Sequence, residues 1–176
     1  RAEFANVVSN CITYRDSGFE GSERLYEGFS DVNKETPFWE DIYLLRSLGY
    51  MNGGINSRGE LVFRPNDPIT GNEVCKILIE LLGYRDICAQ LGGYPTGYIT
   101  VANRLTMLSG LNMSFTAPLN QASALSAVYN ALHSEVAITS VGGVTIVTNT
   151  EQGYTYIKAY WKLNKTEGIL DTNSML

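Results

Sequence analysis

Ile69-Thr70-Gly71-Asn72-Glu73-Val74, carried on by Ile77-Leu78, Leu81-Leu82 and Gly83-Tyr84-Arg85-Asp86, is the stretch on which the fold turns. Thr70 and Glu73 have the Thr-x-x-Glu spacing of a capping box, in which each side chain satisfies a backbone N–H at a helix start. Val74, Ile77, Leu78, Leu81 and Leu82 fall three and four apart, the spacing of one buried helix face, and Gly83 is an awkward residue to keep inside it. The same register is met twice more. Arg1-Ala2-Glu3-Phe4, Val7-Val8, Cys11-Ile12 and an identical Tyr14-Arg15-Asp16 form an earlier copy, with Glu3 in the place of Glu73. Gln121-Ala122-Ser123-Ala124, Ala127-Val128 and Ala131-Leu132 form a later one, capped by Asn120 but with Ser123 where the glutamate stood. Arg1, Gly71 and Gln121 are thus equivalent helix-start positions. The earliest copy is already under way at residue 1, which predicts a first repeat cut short.

Working outward, Thr36-Pro37 suits an N-cap followed by proline at the first helical position. Trp39, Ile42, Leu45 and Leu48 make the apolar stripe of the helix expected there, Glu40 and Asp41 sit where the macrodipole favours acids, and Gly49 is its stop. Met51-Asn52-Gly53-Gly54 reads as a turn and Leu61-Val62-Phe63 as an extended piece. Thr96-Gly97-Tyr98-Ile99 with Ala102, Leu105, Leu108 and Asn112 is a weaker copy of the same plan. Ser17 to Gly28 reads as a surface connection. Beyond Ala137 the character changes. Val144-Thr145-Ile146-Val147 is β-branched and strand-like, Thr148-Asn149-Thr150-Glu151 offers another capping-box spacing before a helix through Tyr160 and Trp161, and Gly168-Ile169-Leu170-Asp171 suggests a further strand. The predicted organisation is mainly α. Residues 1–28 are the end of one repeat and a linker, 29–88 a full second repeat, 89–136 a degenerate third, and 137–176 a short β/α extension leading towards a further domain.

The 176 residues, 44% apolar and 18% charged, are enough for a real core. A net charge of −5 without any lysine or arginine run argues against a nucleic-acid partner. No apolar run approaches the ~18 to 20 residues that span a bilayer, so no membrane partner is expected. Cys11, Cys75 and Cys88 lack close metal-ligand pairing and read as buried thiols. The single histidine, His133, has no nucleophile motif near it, and Glu40 and Asp41 diverge on a helix, so no catalytic residues are assigned. Asp31-x-Asn33-x-Glu35 begins like a calcium loop, but Thr36 replaces the required glycine and Ile42 the twelfth-position acid. No metal and no cofactor are expected. Asn112-Met113-Ser114 and Asn164-Lys165-Thr166 match a glycosylation pattern by chance.

Phe29-Ser30-Asp31-Val32, Pro37-Phe38-Trp39-Glu40-Asp41-Ile42, Leu48-Gly49-Tyr50-Met51-Asn52-Gly53, Phe63-x-Pro65 and Ile69-Thr70-x-x-Glu73, in that order and spacing, closely resemble an S-layer homology repeat. Arg1-Ala2-Glu3 then looks like the end of that family's Ile-Thr-Arg-Ala-Glu motif. The resemblance implies three tandem helix-loop-helix repeats in a pseudo-threefold spindle. It also implies a protein of the bacterial cell surface, held non-covalently to the secondary polysaccharide of a Gram-positive-type wall, often a pyruvylated one. The sugar lies in grooves between repeats and the motif arginine contacts its acidic group. A guanidinium beside the free N–H groups of a helix start suits a carboxylate.

Carried onto this chain, the polysaccharide-binding candidates are Arg1, Asp31, Trp39, Gly71, Asn72 and Gln121. Trp39 also reads as a core residue and Asp31 as a turn residue. The helix-capping residues are Glu3, Thr36, Thr70, Glu73 and Asn120. Gly71 and Gln121 break the motif, since neither pairs with an anion. That departure favours an alternative, a degenerate module acting as a structural spacer or protein-protein assembly element. The stripe of Phe4, Val7, Val8 and Cys11, left without its leading helix, would invite homo-oligomerisation.

Overall fold

The computed structural model describes residues 1–15, 28–139, 145–146 and 154–163, with side chains described over 1–12, 28–137 and 154–163. The chain is mainly helical: α1 (Ala2–Arg15), α2 (Trp39–Ser47), α3 (Gly71–Leu81), α4 (Arg85–Gln90), α5 (Thr96–Arg104), α6 (Gln121–Leu132) and α7 (Tyr156–Trp161). Two short antiparallel pairs accompany them. β1 (Gly54–Ile55) pairs with β2 (Leu61–Val62), Gly54 opposite Val62, and β3 (Ile138–Thr139) pairs with β4 (Thr145–Ile146), Ile138 opposite Ile146.

The capping box of α3 forms as its residues require. Thr70 Oγ1 accepts from the Glu73 amide at 3.4 Å, and Glu73 Oε2 accepts from the Thr70 amide at 2.9 Å. Asn120 caps α6, its Oδ1 accepting from the Ser123 amide at 2.8 Å. Three helices then end in one way. The Gly49 amide donates to Arg46 O and that of Tyr50 to Leu45 O; Gly83 and Tyr84 repeat this on Glu80 and Ile79, and Thr106 and Met107 on Asn103 and Ala102. This is the Schellman arrangement, whose first residue past the cap is left-handed. Gly49 and Gly83 take that conformation without strain at φ 75° and 88°, whereas Thr106 is forced into it at φ 55°.

Thr36 does not cap α2. Its Oγ1 accepts from the Asn33 amide at 3.0 Å and its carbonyl from the Trp39 amide at 3.2 Å, so both groups close turns ahead of the helix. The N-cap is Phe38, left-handed at φ 61° and without a side-chain cap bond. The expected start therefore lies too early. Glu3 is exposed in the first turn of α1.

The apolar stripe of α1 is not exposed either. Phe4, Val8, Cys11 and Ile12 are buried and Val7 packs against the core. Ile42 and Leu45 of α2 lie among the buried residues, and Asn6 Nδ2 donates to Asp41 Oδ2 at 3.0 Å across the α1–α2 pair. The far end of α1 is met by α7. The buried Tyr156 donates its hydroxyl to the Cys11 carbonyl at 3.2 Å, and Trp161 Nε1 donates to the same oxygen at 3.3 Å. The extension, expected to lead away, turns back onto α1 and α6. Burying each large side chain of this stripe is worth about 1.5–3 kcal/mol, which is why chain so distant in sequence returns to cover it. With that cover, the ground for homo-oligomerisation through the stripe is gone. The connection 17–27, the capping-box spacing at Thr148–Glu151 and the strand at Gly168–Asp171 lie outside the described residues.

Buried Glu80 ties the middle helices. Its Oε1 accepts from the Tyr98 hydroxyl of α5 at 2.7 Å, and its Oε2 from Lys76 at 3.1 Å and from Arg85, the first residue of α4, at 2.9 Å. A carboxylate with only 3% of its side chain exposed is tolerable because both oxygens are bonded and two cations face it.

Candidate functional site

The start of α1 lies over the loop that follows β2. The Ala2 amide donates to Pro65 O at 3.0 Å, the Arg1 nitrogen to Asp67 O at 3.0 Å, and Arg1 Nη1 to Phe63 O at 3.3 Å. Arg1 Nη2 reaches Glu73 Oε1 at 2.5 Å, so the glutamate that caps α3 also holds the arginine that opens α1. Asp31 fixes this loop from behind, its carboxylate accepting from the amides of Phe63 at 2.8 Å and Arg64 at 2.7 Å. Bonds of this charged kind are the stronger ones.

Between Arg1, the turn after α2 and the α3 face opens a groove of about 220 Å³. Arg1, Lys76 and Glu73 supply its charges; Tyr50, Phe63 and Tyr94 supply aromatic surface. Asn52 and Gly53 line it from the turn, where Gly53 has φ 69° and any Cβ would meet Phe29 Cε1 at 2.4 Å and Val62 O at 2.5 Å. Lys76 Nζ is held by Tyr50 O at 3.3 Å and by Glu80. Buried Arg1 Nε has no hydrogen-bond partner. Burial and the charge of Glu73 raise the Tyr94 hydroxyl above its ordinary value, keeping it a neutral donor at the rim. Cations, aromatic faces and neutral donors together suit a sugar bearing a carboxylate.

The candidates named from sequence are placed very differently. Arg1 lines the groove. Asp31 stands behind it, spent on the loop amides. Trp39 is elsewhere, edge-on to Tyr43 with centroids 6.1 Å apart and packed against the core. Gly71 is buried at the seam with the next loop, where a Cβ would meet Ser114 O at 2.8 Å, Met113 Cε at 2.9 Å and Phe115 Cα at 3.0 Å. Asn72 is drawn into that seam, its amide donating to Phe115 O at 2.8 Å and its buried Oδ1 left without a partner. Gln121 is exposed at the first position of α6. Lys76, Tyr50 and Tyr94 line the groove without having been singled out. Lys76 lies one turn beyond Glu73, a spacing that could have flagged it. Tyr94 comes from a loop in the following unit, and nothing near it in sequence points to the groove.

Burial pushes the thiols of Cys11, Cys75 and Cys88 up to about 11, 12 and 11, so they stay protonated at neutral pH. Among the described residues no group of three or more metal-ligating side chains occurs, and no helix is long and apolar enough to cross a membrane.

No curated protein and no solved structure shows significant similarity to the chain. A family match covers residues 28–75, from just ahead of Phe29 through the capping box of α3. The matched family is a non-catalytic one of cell-wall-associated surface proteins, involved in anchoring to the wall. Residues 28–75 of this chain are an S-layer homology domain.

Proposed function

We propose that this module anchors a larger surface protein to the bacterial wall by binding secondary cell-wall polysaccharide, and that the glycan lies in the groove opened by Arg1. The observation that carries the reading is the placement of Arg1, whose guanidinium is fixed by Phe63 O and Glu73 at the edge of a groove that also holds Lys76 and three aromatic rings. Units 1–28 and 89–136 are read as the flanking repeats, because α1 and α3 start in the same register and each is addressed by the loop of the unit that follows. The chain is expected to co-sediment with sacculi that retain their secondary polymer and to stay in solution with sacculi stripped of it. Arg1→Ala weakens binding about tenfold, the loss of one charged hydrogen-bonding group. Equal pelleting with stripped sacculi would sink the proposal.

A second reading, a spacer or assembly element, rests on the seam at Gly71, where the next loop fills the space in which a second motif arginine would have to stand. A chain that ignores the polymer yet forms a stable oligomer by light scattering would decide for it.

A further inference from the structure

The groove holds two cations in unlike electrostatic settings. Arg1 faces Glu73 alone, at 2.5 Å, in a one-to-one pair. Glu73 is itself fixed, its other oxygen accepting from the amide and the hydroxyl of Thr70, both at 2.9 Å. Drawing Arg1 towards a ligand would strip a capping carboxylate of its partner. Lys76 shares its acid. Glu80 Oε2 lies between Lys76 at 3.1 Å and Arg85 at 2.9 Å, one negative charge between two positive ones, so this cluster keeps a net positive charge. Arg85 is directed away, onto Gly49 O at 3.1 Å, and Lys76 alone of the two lines the groove. Of the three N–H donors of Lys76, Tyr50 O and Glu80 take two, and the third has no partner among the described residues.

Resting on the glycan-binding reading above, we infer that Lys76, and not Arg1, is the residue that receives a carboxylate of the polysaccharide and makes the groove selective for an acidic glycan. Arg1 closes the groove's wall and neutralises Glu73. The two neutral donors, Asn52 and Tyr94, are left for hydroxyls.

The test compares wall polysaccharide released from sacculi with the same polymer after its carboxylates have been reduced to alcohols, titrated calorimetrically against the full chain. The wild type prefers the acidic form by about tenfold, the effect of one charge-assisted hydrogen bond. Lys76→Gln loses that preference and binds both forms alike. Arg1→Gln combined with Glu73→Gln, which removes the pair without leaving a lone charge and keeps a glutamine able to close the capping box, retains it. Circular dichroism of each variant shows that α3 is intact. Failure of the wild type to bind either polymer would overturn the glycan-binding reading itself. Equal wild-type binding of both forms, or a Lys76→Gln variant that still discriminates, would overturn this inference and leave that reading standing.

Discussion

The starts of α1 and α3 occupy equivalent places in the repeat, and each donates an amide to the next unit's loop, Ala2 to Pro65 O and Asn72 to Phe115 O. At α1 a groove remains open beside this contact; at α3 the loop lies directly on the helix. Two differences account for it. The loop facing α1, Phe63-Arg64-Pro65-Asn66-Asp67-Pro68, is longer than its counterpart Phe115-Thr116-Ala117-Pro118. It is also held from behind by Asp31, whereas no carboxylate accepts from the amides of residues 113–118 among the described residues. The shorter, unsupported loop rests on the helix, and only glycine at position 71 admits it. Loss of the motif arginine and closure of the groove are thus one event seen from two sides.

The largest effect tests what the two sites share. Glu80 joins α3 to α4 and α5, and through Lys76 it also bears on the groove. Glu80→Ala leaves Lys76 and Arg85 without their acid and the Tyr98 hydroxyl without its acceptor. A loss of about 3–5 kcal/mol is expected, read as a fall in the urea midpoint. A loss below about 1 kcal/mol, the scale of an exposed pair, would mean that the cluster is solvated and places nothing.

Asp31→Ala acts on the groove side alone. It removes two charged hydrogen bonds from the amides of Phe63 and Arg64, one of which is left-handed at φ 60°. About 2 kcal/mol of stability should go, since the site is partly exposed. Glycan binding should weaken with it, because Phe63 O is what Arg1 Nη1 grips. Unchanged binding would break the link between loop support and an open groove.

The parts of this comparison that sequence reasoning reached are the local ones. The box at Thr70 and Glu73 and the stops at Gly49 and Gly83 depend on residues three to six apart, so their chemistry is written in adjacent letters. The start of α2 was misplaced because Thr36-Pro37 has the letters of a cap while its hydroxyl is taken by a turn at Asn33. The cover of α1 by Tyr156 and the arrival of Tyr94 at the groove are contacts across most of a unit or most of the chain, and no short-range pattern carries them. Lys76 was hidden differently. It sits on a helix whose face was read for its apolar residues, and its role depends on a glutamate one turn further on that is buried only because α4 and α5 bring it partners.

The smallest change bears on the seam. Gly71→Ala adds one methyl group at the first position of a helix, where alanine in an open setting would stabilise by up to about 1 kcal/mol over glycine. Here the new Cβ would stand 2.8 Å from Ser114 O and 3.0 Å from Phe115 Cα, both backbone, so the loop must retreat and the Asn72 amide lengthens its bond to Phe115 O. Overpacking of this kind costs about 1–3 kcal/mol, which leaves a net destabilisation of about 1 kcal/mol. The sign is the informative quantity. Met113 Cε, at 2.9 Å, is the tip of a flexible side chain and can move aside, so Met113→Ala in the same chain should not rescue the loss. If Gly71→Ala proves stabilising, or if Met113→Ala restores it in full, the seam is closed by a side chain and not by the backbone. The second site would then be a groove temporarily filled, and the difference between the two helix starts would be one of occupancy and not of architecture.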